Sequence, residues 1–164
     1  TMYGREGERE YFLKAIKEWA KPGKIFAVVA DTYNIHEAVK FLASPEVVAL
    51  VKASGARLVV RPDSGDPQRI VPEILEILAT GYGSTLNSKG YKVLPFCIRV
   101  IQGDGMNPNT IRSLYEVITI GGWSAENLAV GSGGGLLQSV NRDDYKFAQK
   151  ASYIELETGE KLGA

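Results

Sequence analysis

The chain is 164 residues long, 45% hydrophobic and 23% charged, proportions of an ordinary globular domain that argue against wholesale disorder. Its 19 Lys and Arg balance 19 Asp and Glu, so no global field draws it to nucleic acid or to an acidic membrane. A lone cysteine excludes an internal disulfide, no apolar run approaches the roughly 18 residues that span a bilayer, and the first residues carry no signal-peptide pattern; a cytoplasmic location with no nucleic-acid or membrane partner is the expectation.

Tyr11, Phe12, Ala15, Ile16 and Trp19 recur at helical spacing and Pro22-Gly23 stops the pattern, which predicts an amphipathic helix over 6–20. Lys24 to Ala30 reads as a strand. A second helix runs through Ala38, Val39, Phe41 and Leu42, Ser44-Pro45 interrupts it, and Val47, Val48, Leu50 and Val51 suggest another turn or two. Arg57 to Val60 is a second strand. After the turn Gly65-Asp66-Pro67, the stripe Ile70, Val71, Ile74, Leu75, Ile77 and Leu78 predicts a third helix; a start near Ile70 puts Pro72 in the first turn, where its missing N–H is tolerated. Residues 80–90, with Gly81, Gly83 and Gly90, read as a long loop anchored by Tyr82 and Tyr91. Phe96 to Gln102 is the third strand, with Cys97 as a buried core thiol. Asn107 caps and Pro108 opens a fourth helix carrying Ile111, Leu114, Tyr115 and Ile118, and Gly121-Gly122 ends it. Asn127 to Val130 and 151–156 are the fourth and fifth strands.

This alternation predicts a single α/β domain over 1–164, a parallel sheet with right-handed crossovers. About five strands are too few to close an eight-stranded barrel, so a partial barrel or open sheet is expected. Such a piece leaves strand edges and apolar faces uncovered, and Trp123 and the 47–51 segment are the candidates for that exposed surface.

The chemistry sits where the strands end. Val28-Val29-Ala30-Asp31, Leu58-Val59-Val60-Arg61-Pro62-Asp63-Ser64-Gly65, Arg99-Val100-Ile101-Gln102-Gly103-Asp104-Gly105 and Leu128-Ala129-Val130-Gly131-Ser132-Gly133-Gly134-Gly135 each break from apolar residues into carboxylate, guanidinium or glycine. In parallel α/β folds the loops leaving the carboxyl ends of the strands share one mouth, so these segments should converge. The last is either a backbone cradle for phosphate at a helix start, with Arg142 and Lys150 supplying charge, or a flexible turn; it is neither a dinucleotide fingerprint nor a P-loop. Arg61 and Asp63, two apart on extended backbone, either grip a phosphate and hold sugar hydroxyls or a metal-bound water, or form a structural ion pair. Asp104 between two glycines can touch a ribose or close a tight turn. Asp31 is, taken singly, a helix N-cap. Three strand-end aspartates with a glycine-rich loop match a site for Mg²⁺ and a phosphorylated sugar. His36, the only histidine, reads as a surface or packing residue on a helix, and Trp19 and Trp123 as core or interface aromatics.

These motifs, in this order, resemble the nicotinate/nicotinamide phosphoribosyltransferase family. The likeness rests on Val29-Ala30-Asp31-Thr32-Tyr33, Arg61-Pro62-Asp63-Ser64-Gly65-Asp66-Pro67, Asn87-Ser88-Lys89-Gly90-Tyr91-Lys92-Val93-Leu94-Pro95, Arg99-Val100-Ile101-Gln102-Gly103-Asp104-Gly105 and Gly131-Ser132-Gly133-Gly134-Gly135-Leu136-Leu137-Gln138, and runs from the first residues to Tyr153. The resemblance implies an irregular (β/α) barrel, a homodimer with sites at its interface, and the joining of nicotinamide to 5-phosphoribosyl-1-pyrophosphate (phosphoribosyl pyrophosphate), giving nicotinamide mononucleotide and pyrophosphate in NAD biosynthesis. By motif, Asp31 and Asp63 would position Mg²⁺ and the pyrophosphate through waters, and Arg61 would contact the pyrophosphate and flank the nicotinamide ring. Asp63, Gly103 and Asp104 would hold ribose hydroxyls or the amide side, while Gly133, Gly134 and Arg142 take the 5-phosphate with Lys150 assisting. The family couples turnover to ATP through a histidine in a Glu-His-Ser-Thr segment, and Thr1 aligns just after it; His36 lies in another motif and does not inherit that role. The expectation is therefore the phosphoribosyl and pyrophosphate part of an enzyme, with little or no turnover by itself. The competing reading is a non-catalytic phosphate-sugar binding module from a truncated gene. A nucleotide-dependent dehydrogenase is disfavoured, because no Gly-x-Gly-x-x-Gly follows the first strand.

Overall fold

The computed structural model describes residues 3–133, 146 and 153–163. In chain order the elements are α1 (Glu8–Trp19), β1 (Ile25–Val29), α2 (Ile35–Leu42), α3 (Pro45–Ser54), β2 (Arg57–Arg61), α4 (Pro67–Tyr82), β3 (Thr85–Leu86), β4 (Lys92–Val93), β5 (Ile98–Gln102), α5 (Pro108–Ile120), β6 (Leu128–Val130), β7 (Tyr153–Glu155) and β8 (Lys161–Gly163). β1, β2, β5 and β6 form one parallel sheet in that order, with Val28 level with Val60, Val60 with Val100, and Val100 with Leu128. The order never reverses, so the sheet has no switch point of the doubly wound kind; each strand follows its predecessor as in an arc of a (β/α) barrel, here four strands wide and open.

Side-chain alternation shows which face the helices cover. Val28, Leu58, Val60, Ile98, Val100 and Leu128 are buried beneath α2, α4 and α5, which pack on one another in sequence. The opposite face presents Ile25, Ala27, Val29 and Ala129 as exposed residues, with Arg57, Arg61, Arg99 and Ile101 half-buried among them. Arg57 stacks on the Phe96 ring at 3.7 Å, and Arg99 donates to the carbonyls of Leu94, Pro95 and Ile98. A parallel sheet with one bare, partly apolar face is an incomplete layer.

Local chemistry sets the helix starts. Asn107 accepts from the N–H groups of Asn109 and Thr110, Thr110 returns a bond to the Asn107 N–H, and Pro108 occupies the first position. Asp66 caps α4 by accepting from Gln68 N–H, so the helix begins at Pro67 and not near Ile70. Pro72 is therefore inside the helix. An interior proline costs about 3 kcal/mol, but Val71, Ile74, Leu75 and Leu78 on the same helix are each essentially inaccessible, and full burial of such a side chain contributes roughly 1.5–3 kcal/mol.

Five further expectations are corrected. The segment after Ser44-Pro45 is a full ten-residue helix, α3. The 80–90 loop is partly helix and partly an antiparallel hairpin, because α4 continues to Tyr82 and β3 pairs with β4; Tyr82 is a buried helix residue whose hydroxyl donates to the Leu42 carbonyl. The fifth strand forms, as β7, but pairs antiparallel with β8 instead of joining the parallel sheet. Trp123 and Val47, Val48 and Val51 are buried, whereas the exposed apolar side chains among the described residues include Trp19, Ile25, Val29, Leu86, Phe96 and Ile120. Trp123 is covered because its indole N–H donates to Glu76 while Lys92 lies over its ring. Cys97 is only half-buried, and that burial pushes its thiol above the usual range.

The β3–β4 strap is tied to the sheet by one buried side chain. Asn127 accepts from the Leu94 N–H at 2.7 Å and donates to the carbonyls of Lys92 and Ser124. All of its polar atoms are thereby satisfied in a fully buried position.

Candidate active site

β1 continues past its last residue through the Ala30 N–H, which donates to the Arg61 carbonyl, so Asp31 and the residues after Arg61 leave the sheet side by side. One oxygen of Asp31, Oδ2, accepts from the Asp63 backbone N–H at 2.9 Å and from the Ser64 hydroxyl. Asp31 is therefore not a helix cap. Asn34 caps α2, accepting from the Glu37 N–H, and releases the aspartate to bridge two strand ends.

Arg61 and Asp63 pair as their spacing suggests, with Nε and Nη2 both donating to Asp63 Oδ1 at 2.9 and 2.8 Å. The guanidinium lies against Gly103 at the end of β5, where a Cβ would sit 3.4 Å from Nη2 and 3.5 Å from Cζ. Gly131, at the end of β6, comes next: its N–H donates to the Gln102 carbonyl, and a Cβ there would lie 3.6 Å from the Gly103 Cα. The four strand ends thus carry, in order across the sheet, Asp31, then Arg61 with Asp63 and Ser64, then Gly103, then Gly131. Two of the four are stripped of side chains where the backbone must stay accessible.

Asp104 stands one residue beyond Gly103 and is exposed. The buried Gln102 side chain donates to the Asp104 carbonyl at 3.1 Å and pins that turn, while the Asp104 carboxylate makes no hydrogen bond or ion pair among the described residues. Ser132 donates to the Met106 carbonyl and ties the glycine-rich segment to the loop after β5, and Gly133 is exposed with open space around it. Gly134, Arg142 and Lys150 lie outside the described residues. His36 bonds Glu73 at 2.6 Å between α2 and α4, which with Arg69 holds the Glu73 carboxyl below the usual range; it is a helix-pairing residue.

The cluster lies on open surface. The Arg61 and Asp63 side chains are each 42% exposed, and a half-open concavity of about 300 Å³ beside the end of β1 has Tyr3, Tyr11, Phe12, Val29, Thr32 and Tyr33 among its lining. Asp31 Oδ1 and Asp63 Oδ2 have no hydrogen-bond partner among the described residues, and no group of three or more His, Cys, Asp or Glu gathers there as a metal cage. Two carboxylates with one oxygen each turned outward suit a cation that keeps most of its waters, the habit of Mg²⁺. Sequence reasoning left Ser64 without a role; its signal was its place one residue after a strand-end aspartate, within reach of the neighbouring strand end.

A family model described as the nicotinate phosphoribosyltransferase (NAPRTase) family matches residues 33–161. A nicotinamide phosphoribosyltransferase of Xanthomonas campestris is 45% identical over 157 residues, an alignment covering 96% of this chain and 33% of the relative. Proteins of the same name from Mycoplasma pneumoniae and Acinetobacter baylyi are 29% and 27% identical, each alignment covering 93% of this chain and 36% and 34% of the relative. The chain spans about a third of the length of these relatives.

Proposed function

The chain belongs to the nicotinate phosphoribosyltransferase family, and from that premise we propose that its strand-mouth cluster serves the phosphoribosyl and pyrophosphate end of a pentosyl transfer in NAD biosynthesis. The reaction joins nicotinamide to phosphoribosyl pyrophosphate. The lone pair of the ring nitrogen forms the new bond to the ribosyl carbon, pyrophosphate leaves with the electron pair of the old one, and no proton moves at the reacting centre.

The observation that carries this reading is the convergence of Asp31, Arg61, Asp63, Gly103 and Gly131 at one end of the sheet. As the leaving group departs, positive charge gathers on the ribosyl carbon and negative charge on the pyrophosphate, so catalysis needs fixed charges of both signs a few ångströms apart. Arg61 faces the pyrophosphate and flanks the nicotinamide ring. Asp63, Gly103 and Asp104 hold the ribose hydroxyls or the amide side of the site. Gly133, Gly134 and Arg142 take the 5-phosphate, with Lys150 assisting. Asp31 and Asp63 hold Mg²⁺ through its waters; the ion, when bound, neutralises charge on the pyrophosphate. ATP coupling and a homodimeric site are part of the proposal for a full-length enzyme of this family.

Calorimetry tests the assignment directly. The chain should bind phosphoribosyl pyrophosphate only when Mg²⁺ is present, and Asp63→Ala should abolish that binding. Equal affinity in Asp63→Ala, or binding indifferent to magnesium, would remove the site from this cluster.

A further inference from the structure

We infer that Ser64 is a positioning residue: its hydroxyl, with the Asp63 backbone N–H, locks the Asp31 carboxylate so that its second oxygen faces the strand mouth. This rests on the reading of Asp31 given above and extends it to a residue that touches neither substrate nor metal in that scheme.

The geometry is specific. Both donors converge on one atom, Asp31 Oδ2, from consecutive residues of the loop after β2. A carboxylate held by one donor can turn about its Cβ–Cγ bond; one held by two donors on a single oxygen cannot do so without breaking both bonds. Asp31 Oδ1 is then left with a fixed direction and no protein partner among the described residues. The same two bonds splice the end of β1 to the loop after β2, so the Asp31 carboxylate is fixed against the backbone that carries Asp63. The stabilising return is small, because Asp63 and Ser64 are exposed and charge-assisted bonds in that setting are weakened by water. What the arrangement supplies is orientation, and orientation of a charged group within a fraction of an ångström is what a hydrated cation and a polyphosphate require. The exposure of Ser64 also leaves room for one more methyl group, which makes threonine a fair conservative replacement.

The test uses the whole chain with magnesium pyrophosphate as probe, in Ser64→Ala, Ser64→Thr and Asp31→Ala. Ser64→Ala should weaken binding by about tenfold, because a released Asp31 carboxylate must be re-oriented when the probe binds, while Ser64→Thr stays within about twofold of the parent. Without any ligand, the Asp63 amide should exchange with solvent about tenfold faster in Ser64→Ala, because its acceptor is no longer held in place. Parental affinity in Ser64→Ala while Asp31→Ala loses binding would overturn the inference and leave the site assignment standing. Should neither the parent nor any variant bind the probe, the assignment under Proposed function falls, and the Asp63 amide still decides the role of Ser64: unchanged exchange ends it.

Discussion

Gly81 offers the sharpest test of how the helices hold the strand ends in place. It is the penultimate residue of α4, where alanine should favour the helix by about 1 kcal/mol. The structure predicts the opposite. A Cβ on Gly81 would lie 2.0 Å from the Ala43 carbonyl oxygen and 2.8 Å from its carbon, so the end of α4 sits directly on the backbone that closes α2. Backbone cannot swing aside as a side chain can, and the two helix ends must part by about an ångström in an interior packed to crystal density. Overpacking of this kind costs about 1–3 kcal/mol, and separating the helices also strains the Tyr82 hydroxyl's bond to the Leu42 carbonyl, worth about 1 kcal/mol. Net of the propensity gain, Gly81→Ala should lose about 1–3 kcal/mol, lowering the melting temperature by roughly 2–12 °C for a chain of this size. Urea titration followed by circular dichroism measures the change at constant slope. A variant as stable as the parent, or more so, would refute the close approach of α4 to the end of α2.

Arg61→Lys removes a donor pair from Asp63 Oδ1 but leaves a cation; magnesium pyrophosphate affinity should fall by about tenfold or more while the melting temperature moves by no more than about 2 °C, because exposed ion pairs contribute little. A parallel loss of stability would show that the pair is structural. For Glu76, burial pushes the carboxyl up, but hydrogen bonds from Lys92 and Trp123 outweigh it and the net shift is below 4.5. A carboxyl depressed in the folded state stabilises it above the unfolded value and loses that contribution as pH falls through the folded one, so the parent's melting temperature should drop more steeply below pH 4.5 than that of Glu76→Gln, followed by tryptophan fluorescence. Superimposable pH profiles would count against the Glu76 contacts.

The elements that sequence made legible are those whose local chemistry and burial agree. Asn107-Pro108 with Ile111, Leu114 and Ile118 specifies cap, start and buried stripe together, and the helix forms as read. The strand cores were equally plain, since the run Leu58-Val59-Val60 and the alternation Ile98-Arg99-Val100 are what strands with one helix-covered face produce. Failures occurred where a distant contact overrides a local signal. Glycine at 81 reads as a loop, yet it is there because Ala43 leaves no space for a side chain. Proline at 72 reads as a helix start, yet Asp66 caps earlier and four buried aliphatics carry the proline inside. Asp31 reads as a cap because a helix follows; only the register of β1 against β2 shows that Asp63 and Ser64 are its neighbours.

The same register bears on the role proposed for the Arg61–Asp63 pair. An ion pair this exposed contributes at most about 1 kcal/mol, so stability does not account for its geometry. Around it, Gly103 and Gly131 contribute no side-chain packing, Asp31 is committed to two hydrogen bonds at the rim, and the Asp104 carboxylate faces water with no partner among the described residues. Each of these choices leaves stability unclaimed that an alanine or an aliphatic residue would supply, and all of them fall at the carboxyl end of the sheet. Four strand termini that share such a deficit, in a fold whose helix-covered face is otherwise tightly filled, are what the charged ligand proposed for this site would account for.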